Sequence, residues 1–337
     1  MTEPSLREME VSDELSARLS RLGVTDIEQL AGGASSLTFR GLWDGQPVVV
    51  KVAPPGLPPL MHRDVLRQAR ILKALGTTGV PVPEVLVTDP GSPPEVPPLF
   101  VMTLLPGESI EPLFDLFEPT DRSDRPDGPT MAARISAAAG VMAQLHRLDP
   151  GAGGLELGVE PVGDLDAEID RWCHSLGTVD PSLVDGWEGV AGALRLSRPT
   201  ASRPALIHGD FRLGNLLAEG RHITAVIDWE IWSVGDPRID VGWFLANADP
   251  ATYGRQTRYA APGTLPAVDK LEAIYAGALG RDVPDLEWFG ALARFKSAAT
   301  WSLIVKHNRR RISPDPDLEA MAPVLKLLLD QARKEVS

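Results

Sequence analysis

Leu206-Ile207-His208-Gly209-Asp210-Phe211-Arg212-Leu213-Gly214-Asn215-Leu216-Leu217, followed after a short turn by Ile223-Thr224-Ala225-Val226-Ile227-Asp228-Trp229-Glu230, is the stretch that decides the reading of this chain. Its polar groups stand at fixed offsets between apolar flanks. Asn215 opens an expected strand, residues 219–222 form a turn, and Ile223 to Ile227 returns as a second strand. The hairpin is expected to bring Asp228 out beside Asn215. A carboxylate and an amide oxygen suit Mg²⁺, which takes one or two carboxylates together with phosphate oxygens. Asp210 precedes Asn215 by five residues, faces the same point and is placed to accept a proton from an attacking hydroxyl.

Upstream, the chain to about residue 105 reads as mostly β. Asp44-Gly45 separates Leu37–Trp43 from Gln46–Val52, and an Asp-Gly pair between β-prone runs predicts a hairpin because both residues tolerate positive φ. Gly32-Gly33-Ala34-Ser35-Ser36 is a small-residue loop before the first of these strands. Val65, Gln68, Leu72 and Leu75 share one face of a helix expected over 64–75, and further strands are expected at 84–88 and 99–105. Pro106-Gly107 marks the boundary between a lobe of residues 1–105 and a second of residues 106–337. The second reads as mostly helical, with helices at 131–148, 164–176, 265–280, 285–306 and 317–334.

Composition narrows the function. The 337 residues carry a formal charge of −13, which argues against nucleic acid or an anionic membrane as a main partner, since both need a basic footprint. No run approaches the roughly 18 apolar residues of a membrane span. The polar, acidic N-terminus is wrong for a secretory signal, so a cytoplasmic protein is expected. Cys173 stands alone, which excludes an intrachain disulfide and a zinc site built on thiolates. The fingerprints of P-loop ATPases, dinucleotide enzymes, α/β-hydrolases and zincin proteases are absent. Lys306-His307-Asn308-Arg309-Arg310-Arg311 has two readings, a contact to phosphate and, the plainer one, a solvated face at a helix end that suits the dipole.

His-x-Asp-x-x-x-x-Asn at 208–215, Ile-Asp-Trp-Glu at 227–230 and Gly-Asp-Pro-x-x-Asp at 235–240 together resemble the catalytic and metal-binding loops of the aminoglycoside phosphotransferase family, relatives of the protein kinases. The resemblance runs from about Gly32 to at least residue 245. It implies an α+β, bilobal, protein-kinase-like fold, with a small β-rich N-lobe, a larger helical C-lobe and ATP between them. It also implies a kinase that moves the γ-phosphate of ATP, or another nucleoside triphosphate, to a hydroxyl of a small molecule with Mg²⁺.

Carried over residue by residue, the resemblance makes Asp210 the base and Asn215 and Asp228 the metal ligands. Arg212 has two readings: it neutralises the transferring phosphoryl group, or it pairs with a nearby carboxylate. His208 is expected to orient the loop, Asp240 to brace it, and Asp236 to close a turn. Only seven of the 33 basic residues are lysine, and Lys51 sits within a valine-rich strand, where an unpaired charge costs free energy. Its sharp reading is the lysine of the ATP α/β-phosphates; its plain one is an outward lysine on an edge strand. Ser35 and Ser36 offer hydroxyls and N–H groups to phosphate. The family's usual glutamate partner of that lysine is replaced by Gln68, a neutral amide that hydrogen-bonds with less electrostatic stabilisation. That departure makes a catalytically weak or inactive nucleotide-binding protein the alternative. A protein kinase ranks lower, because Trp229-Glu230 stands where Phe-Gly would and no Ala-Pro-Glu segment follows.

Overall fold

The computed structural model describes residues 13–30, 36–112, 125–151, 155–158, 160–254, 259, 261 and 263–336. The chain divides into two compact units: Met1–Gly107 with Gly151–Val159 and Thr224–Trp232, and Glu108–Pro150 with Glu160–Ile223 and Ser233–Ser337.

In the first unit, Asp44 and Gly45 both take positive φ (49° and 74°), and Trp43 pairs with Gln46 across them, as the Asp-Gly pair predicts. This turn joins β2 (Leu37–Trp43) to β3 (Gln46–Val52) in an antiparallel five-stranded sheet with β1 (Val24–Gln29), β4 (Val85–Asp89) and β5 (Leu99–Thr103), in the order β1-β2-β3-β5-β4. Val48, Val50 and Val52 alternate with Val49 and Lys51, so one face of β3 packs with Phe39, Leu99 and Val101. Leu19 joins that cluster from α1 (Asp13–Arg21). Neither α1 nor β1 was expected, because so polar a segment carries little apolar periodicity. Helix α2 (Val65–Leu75) starts where Asp64 accepts the Arg67 N–H at 3.0 Å, an N-cap. Val226 N–H donates to the Pro81 carbonyl at 2.8 Å, and Arg67 stacks 4.2 Å from the Trp232 ring centroid. These contacts tie residues 224–232 to α2 and to the segment between α2 and β4.

The second unit contains α3 (Gly128–Arg147), α4 (Leu165–Leu176), α5 (Trp187–Leu196), β6 (Ala205–Ile207) and β7 (Leu216–Glu219); β8 (His222–Val226) begins in it. It continues with β9 (Ser233–Gly235), α6 (Arg238–Ala248), α7 (Val268–Leu279), α8 (Leu286–Asn308), α9 (Pro316–Glu319) and α10 (Ala322–Glu335). Asp127 and Asp164 cap α3 and α4 through their side chains. The core gathers around α8, whose Trp288, Leu292, Phe295 and Val305 pack with Ile169 of α4, Leu194 of α5 and Leu328 of α10. Gly242 lets α6 approach α8 closely: a Cβ there would fall 2.4 Å from the Phe289 carbonyl oxygen. β6 pairs antiparallel with β9, Ile207 opposite Ser233. The loop that begins at His208 and the start of α6 therefore emerge beside each other.

Candidate active site

The expected site residues divide between the two units. In the second, Asp240 anchors the loop that leaves β6. Its carboxylate is fully buried and accepts the His208 N–H at 2.7 Å and the Gly209 N–H at 2.9 Å. His146 of α3 lies 3.3 Å from the same carboxylate and 2.7 Å from the Tyr275 hydroxyl. Burial opposes the Asp240 charge, but the bonds from His146 and the His208 N–H prevail and hold its pKa below the usual range. Gly209 takes φ +85°, the left-handed region that favours glycine. The Asp210 N–H then donates to His208 Nδ1 at 3.2 Å, so His208 does face the loop it was expected to orient. Asp236 accepts the Arg238 N–H at 3.0 Å, closing a turn, and also forms a buried ion pair with that guanidinium at 2.7 Å.

Asp210 is held by three donors. Trp243 Nε1 reaches Oδ1 at 2.7 Å, Arg212 Nε lies 3.2 and 3.3 Å from the two oxygens, and Asn215 Nδ2 reaches Oδ2 at 2.7 Å. A quarter of the Asp210 side chain remains exposed. Asn215 closes a single 3-10 turn, Leu213–Asn215, and the strand begins one residue later than expected. Its Nδ2 also donates to the Asp210 carbonyl at 2.9 Å, so both of these bonds engage the amide nitrogen.

Arg212 pairs with two carboxylates, Asp210 and Glu111, the latter at 3.3 Å. Burial works against its charge, but these neighbours raise its pKa above the ordinary arginine value. Beneath the loop, Lys296 of α8 is buried; its Nζ donates to the Gly209 carbonyl and lies 3.9 Å from the Trp243 ring centroid. Burial lowers its pKa, against the pull of Asp210, Glu168 and Asp240.

In the first unit, β3 lies between β2 and β5, which removes the reading of Lys51 as a lysine on an edge strand. Its Nζ donates to Asp228 Oδ1 at 2.9 Å and to Gln68 Oε1 at 3.3 Å. Gln68 is 2% exposed and its Nε2 is buried with no partner among the described residues. Asp228 sits at φ +65°, a conformation that aspartate tolerates better than most residues. Lys51, Gln68 and Asp228 thus form one cluster, while Asn215 and Asp228 lie in different units. Ser36 is buried just before β2; Ser35 and the rest of the small-residue loop lie outside the described residues.

Taken each by itself, the Asp228 carboxylate and the Asn215 amide oxygen are of the kind Mg²⁺ takes. Among the described residues no group of three or more His, Cys, Asp or Glu is arranged to hold a metal by itself. Sequence reasoning missed Glu111, Trp243 and Lys296. The scarcity of lysine that singled out Lys51 applies equally to Lys296, set within Ala293-Arg294-Phe295-Lys296-Ser297-Ala298. Nothing in the local sequence distinguishes Glu111.

Solved structures share this fold. A candidate aminoglycoside phosphotransferase from Ralstonia eutropha JMP134 aligns over 96% of this chain and 97% of its own, with TM-score 0.75 and 20% identity. A thermostable mutant of aminoglycoside phosphotransferase APH(4)-Ia, in ternary complex with AMP-PNP and hygromycin B, aligns over 95% and 99% with TM-score 0.61 and 18% identity. Macrolide 2'-phosphotransferase MphH from Brachybacterium faecium aligns over 94% and 98% with TM-score 0.57 and 22% identity.

Among curated sequences, acyl-CoA dehydrogenase family member 10 of Mus musculus is 27% identical over 85% of this chain and 27% of its own length. Family member 11 of Gallus gallus is 28% identical over 82% and 36%. The chain thus spans about a quarter to a third of the length of these relatives. The model of the phosphotransferase enzyme family (APH) matches residues 26–272, so this chain, with its kinase-like α+β fold, belongs to that family.

Proposed function

We propose that the protein transfers the γ-phosphoryl group of ATP to a hydroxyl of a small molecule. The observation that carries this reading is the Asp210 carboxylate, partly exposed and oriented by Trp243, Arg212 and Asn215. A carboxylate held this way is suited to accept the hydroxyl proton as the new P–O bond forms, while ADP takes the electrons of the broken bond. Lys51, steadied by Gln68, would hold the α/β-phosphates, and Asn215 and Asp228 would hold Mg²⁺. Bound Mg²⁺ would supply neutralisation of phosphate charge. Ser36 is assigned to the nucleotide with Lys51.

The acceptor panel takes hygromycin B, macrolides and acyl-CoA compounds from the names of these neighbours and relatives, with small alcohols and sugars beside them. In a mass-shift screen with Mg-ATP, wild type is expected to phosphorylate a member of this panel. D210N is expected to lose about a thousandfold in kcat while still binding AMP-PNP. Full transfer by D210N would overturn the mechanism. The neutral Gln68 beside Lys51 favours one second reading, a quiet nucleotide-binding protein, which would bind Mg-ATP and transfer to nothing in the panel.

A further inference from the structure

Within the second unit, residues 108–111 form a strap on the loop that carries Asp210. Glu108 and Ala218 exchange both backbone hydrogen bonds at 3.0 Å, and the Glu108 carboxylate accepts from Arg134 at 2.8 Å. Ser109 Oγ donates to the Gly214 carbonyl. Glu111 Oε2 accepts the Gly214 N–H at 3.1 Å and Arg212 Nη1 at 3.3 Å.

Two features set Glu111 apart from an ordinary structural contact. Its other oxygen, Oε1, is buried and has no hydrogen-bond partner among the described residues, an arrangement that destabilises the fold relative to a neutral side chain of the same shape. The loop is also built to receive its partner: a Cβ on Gly214 would collide with Arg212 Nη1 and lie 3.4 Å from Glu111 Oε2. Glycine at that position is what lets the guanidinium lie against the backbone, between the two carboxylates.

We infer that Glu111 is a positioning residue: by pinning Arg212 and the Gly214 N–H it sets the guanidinium against Asp210 and so aims the base. The inference rests on the reading of Asp210 as the base. It resolves the two roles open to Arg212, which acts as a strut for Asp210, its Nε on that carboxylate and its Nη1 on Glu111, and not as the group that meets the phosphoryl. Among the described residues Asp210 also meets the uncharged Trp243 and Asn215, with Lys296 beneath the loop and the buried Tyr253 near enough to interact with Asp210, Arg212 and Glu111.

The test uses the full chain with Mg-ATP as probe, reading ADP formation with water as the acceptor. E111A is expected to lower kcat about 30-fold with KM for ATP within about twofold, since misplacement of a reacting group raises the barrier without touching nucleotide binding. R212A should fall as far, and R212A/E111A no further than either single variant, because coupled residues do not add. E111Q, which keeps an acceptor oxygen for Gly214 and stands in if E111A does not fold, should recover part of kcat at an unchanged or higher Tm. Hydrogen exchange of residues 209–215 should quicken in E111A and less in E111Q. Multiplicative losses in the double variant, an effect on KM alone, or unaltered exchange would overturn the inference while an active wild type upholds phosphotransfer. A wild type that forms no ADP with water or with any acceptor of the panel would overturn the phosphotransfer reading and this role with it.

Discussion

Lys51 shows how one side chain is placed by three separate parts of the chain. The β3 register turns it away from the Val48, Val50 and Val52 face, α2 supplies Gln68, and residues 224–232 supply Asp228. Gln68 shares one oxygen with the ammonium and leaves its Nε2 buried and, among the described residues, unbonded, so the amide serves the lysine at some expense to the fold. Q68M is therefore expected to raise KM for Mg-ATP about tenfold, the worth of one hydrogen bond to a charged group, while Tm holds or rises. Steady-state kinetics and a melting curve check both; an unchanged KM would show that Gln68 does not position Lys51. Lys51 and Gln68 were readable because each breaks its local pattern, a charge among valines and an amide on an apolar helix face. Glu111 breaks no pattern, since its meaning depends on Arg212, 101 residues later.

At the scale of elements, α1 is joined to the sheet by charge as well as by Leu19. Arg18 is 7% exposed, and its Nε donates to Asp89 at 2.7 Å while Nη1 donates to the Pro97 carbonyl at 2.6 Å. The Arg18 hydrogen bond, against a smaller opposing effect of burial, holds the Asp89 pKa below the ordinary carboxylate value. A carboxyl whose pKa is depressed in the folded state contributes its stability in full above its unfolded pKa, about 4, and loses it as pH falls through the folded value. R18M is expected to destabilise the protein by about 1–3 kcal/mol at pH 7, and the gap from wild type should narrow below about pH 4. Urea midpoints at pH 7 and pH 3.5 test this, and an equal gap at both values would refute it. Such an element is hard to read ahead of the structure, because a buried arginine in a polar helix looks like a solvated one.

At the scale of the whole molecule, each unit carries residues that the proposed function assigns to the reaction. A ligand that binds only the native state stabilises it by about 2.7 kcal/mol at a concentration 100 times Kd. Mg²⁺ with AMP-PNP is expected to raise Tm by a few degrees. D228N should abolish the shift and D210N should keep it, because the proposed function makes the first a metal ligand and the second only the proton acceptor. Loss of the shift in D210N would show that the two carboxylates are not functionally separate. No helix among the described residues is long and apolar enough to cross a membrane, and the −13 charge spreads over many acids besides the few at the site.

The sequence by itself determined the family and the fold class. The loop residues and the hairpin stand at short, fixed separations, where backbone geometry leaves few alternatives. Tertiary structure alone decided which distant groups meet them. It placed Asp240 on the loop amides, Trp243 and Arg212 on Asp210, Lys296 beneath Gly209, and Glu111 on Arg212. The physical reason is that hydrogen bonds and ion pairs between remote segments are set by packing, and packing has no local signature in the chain.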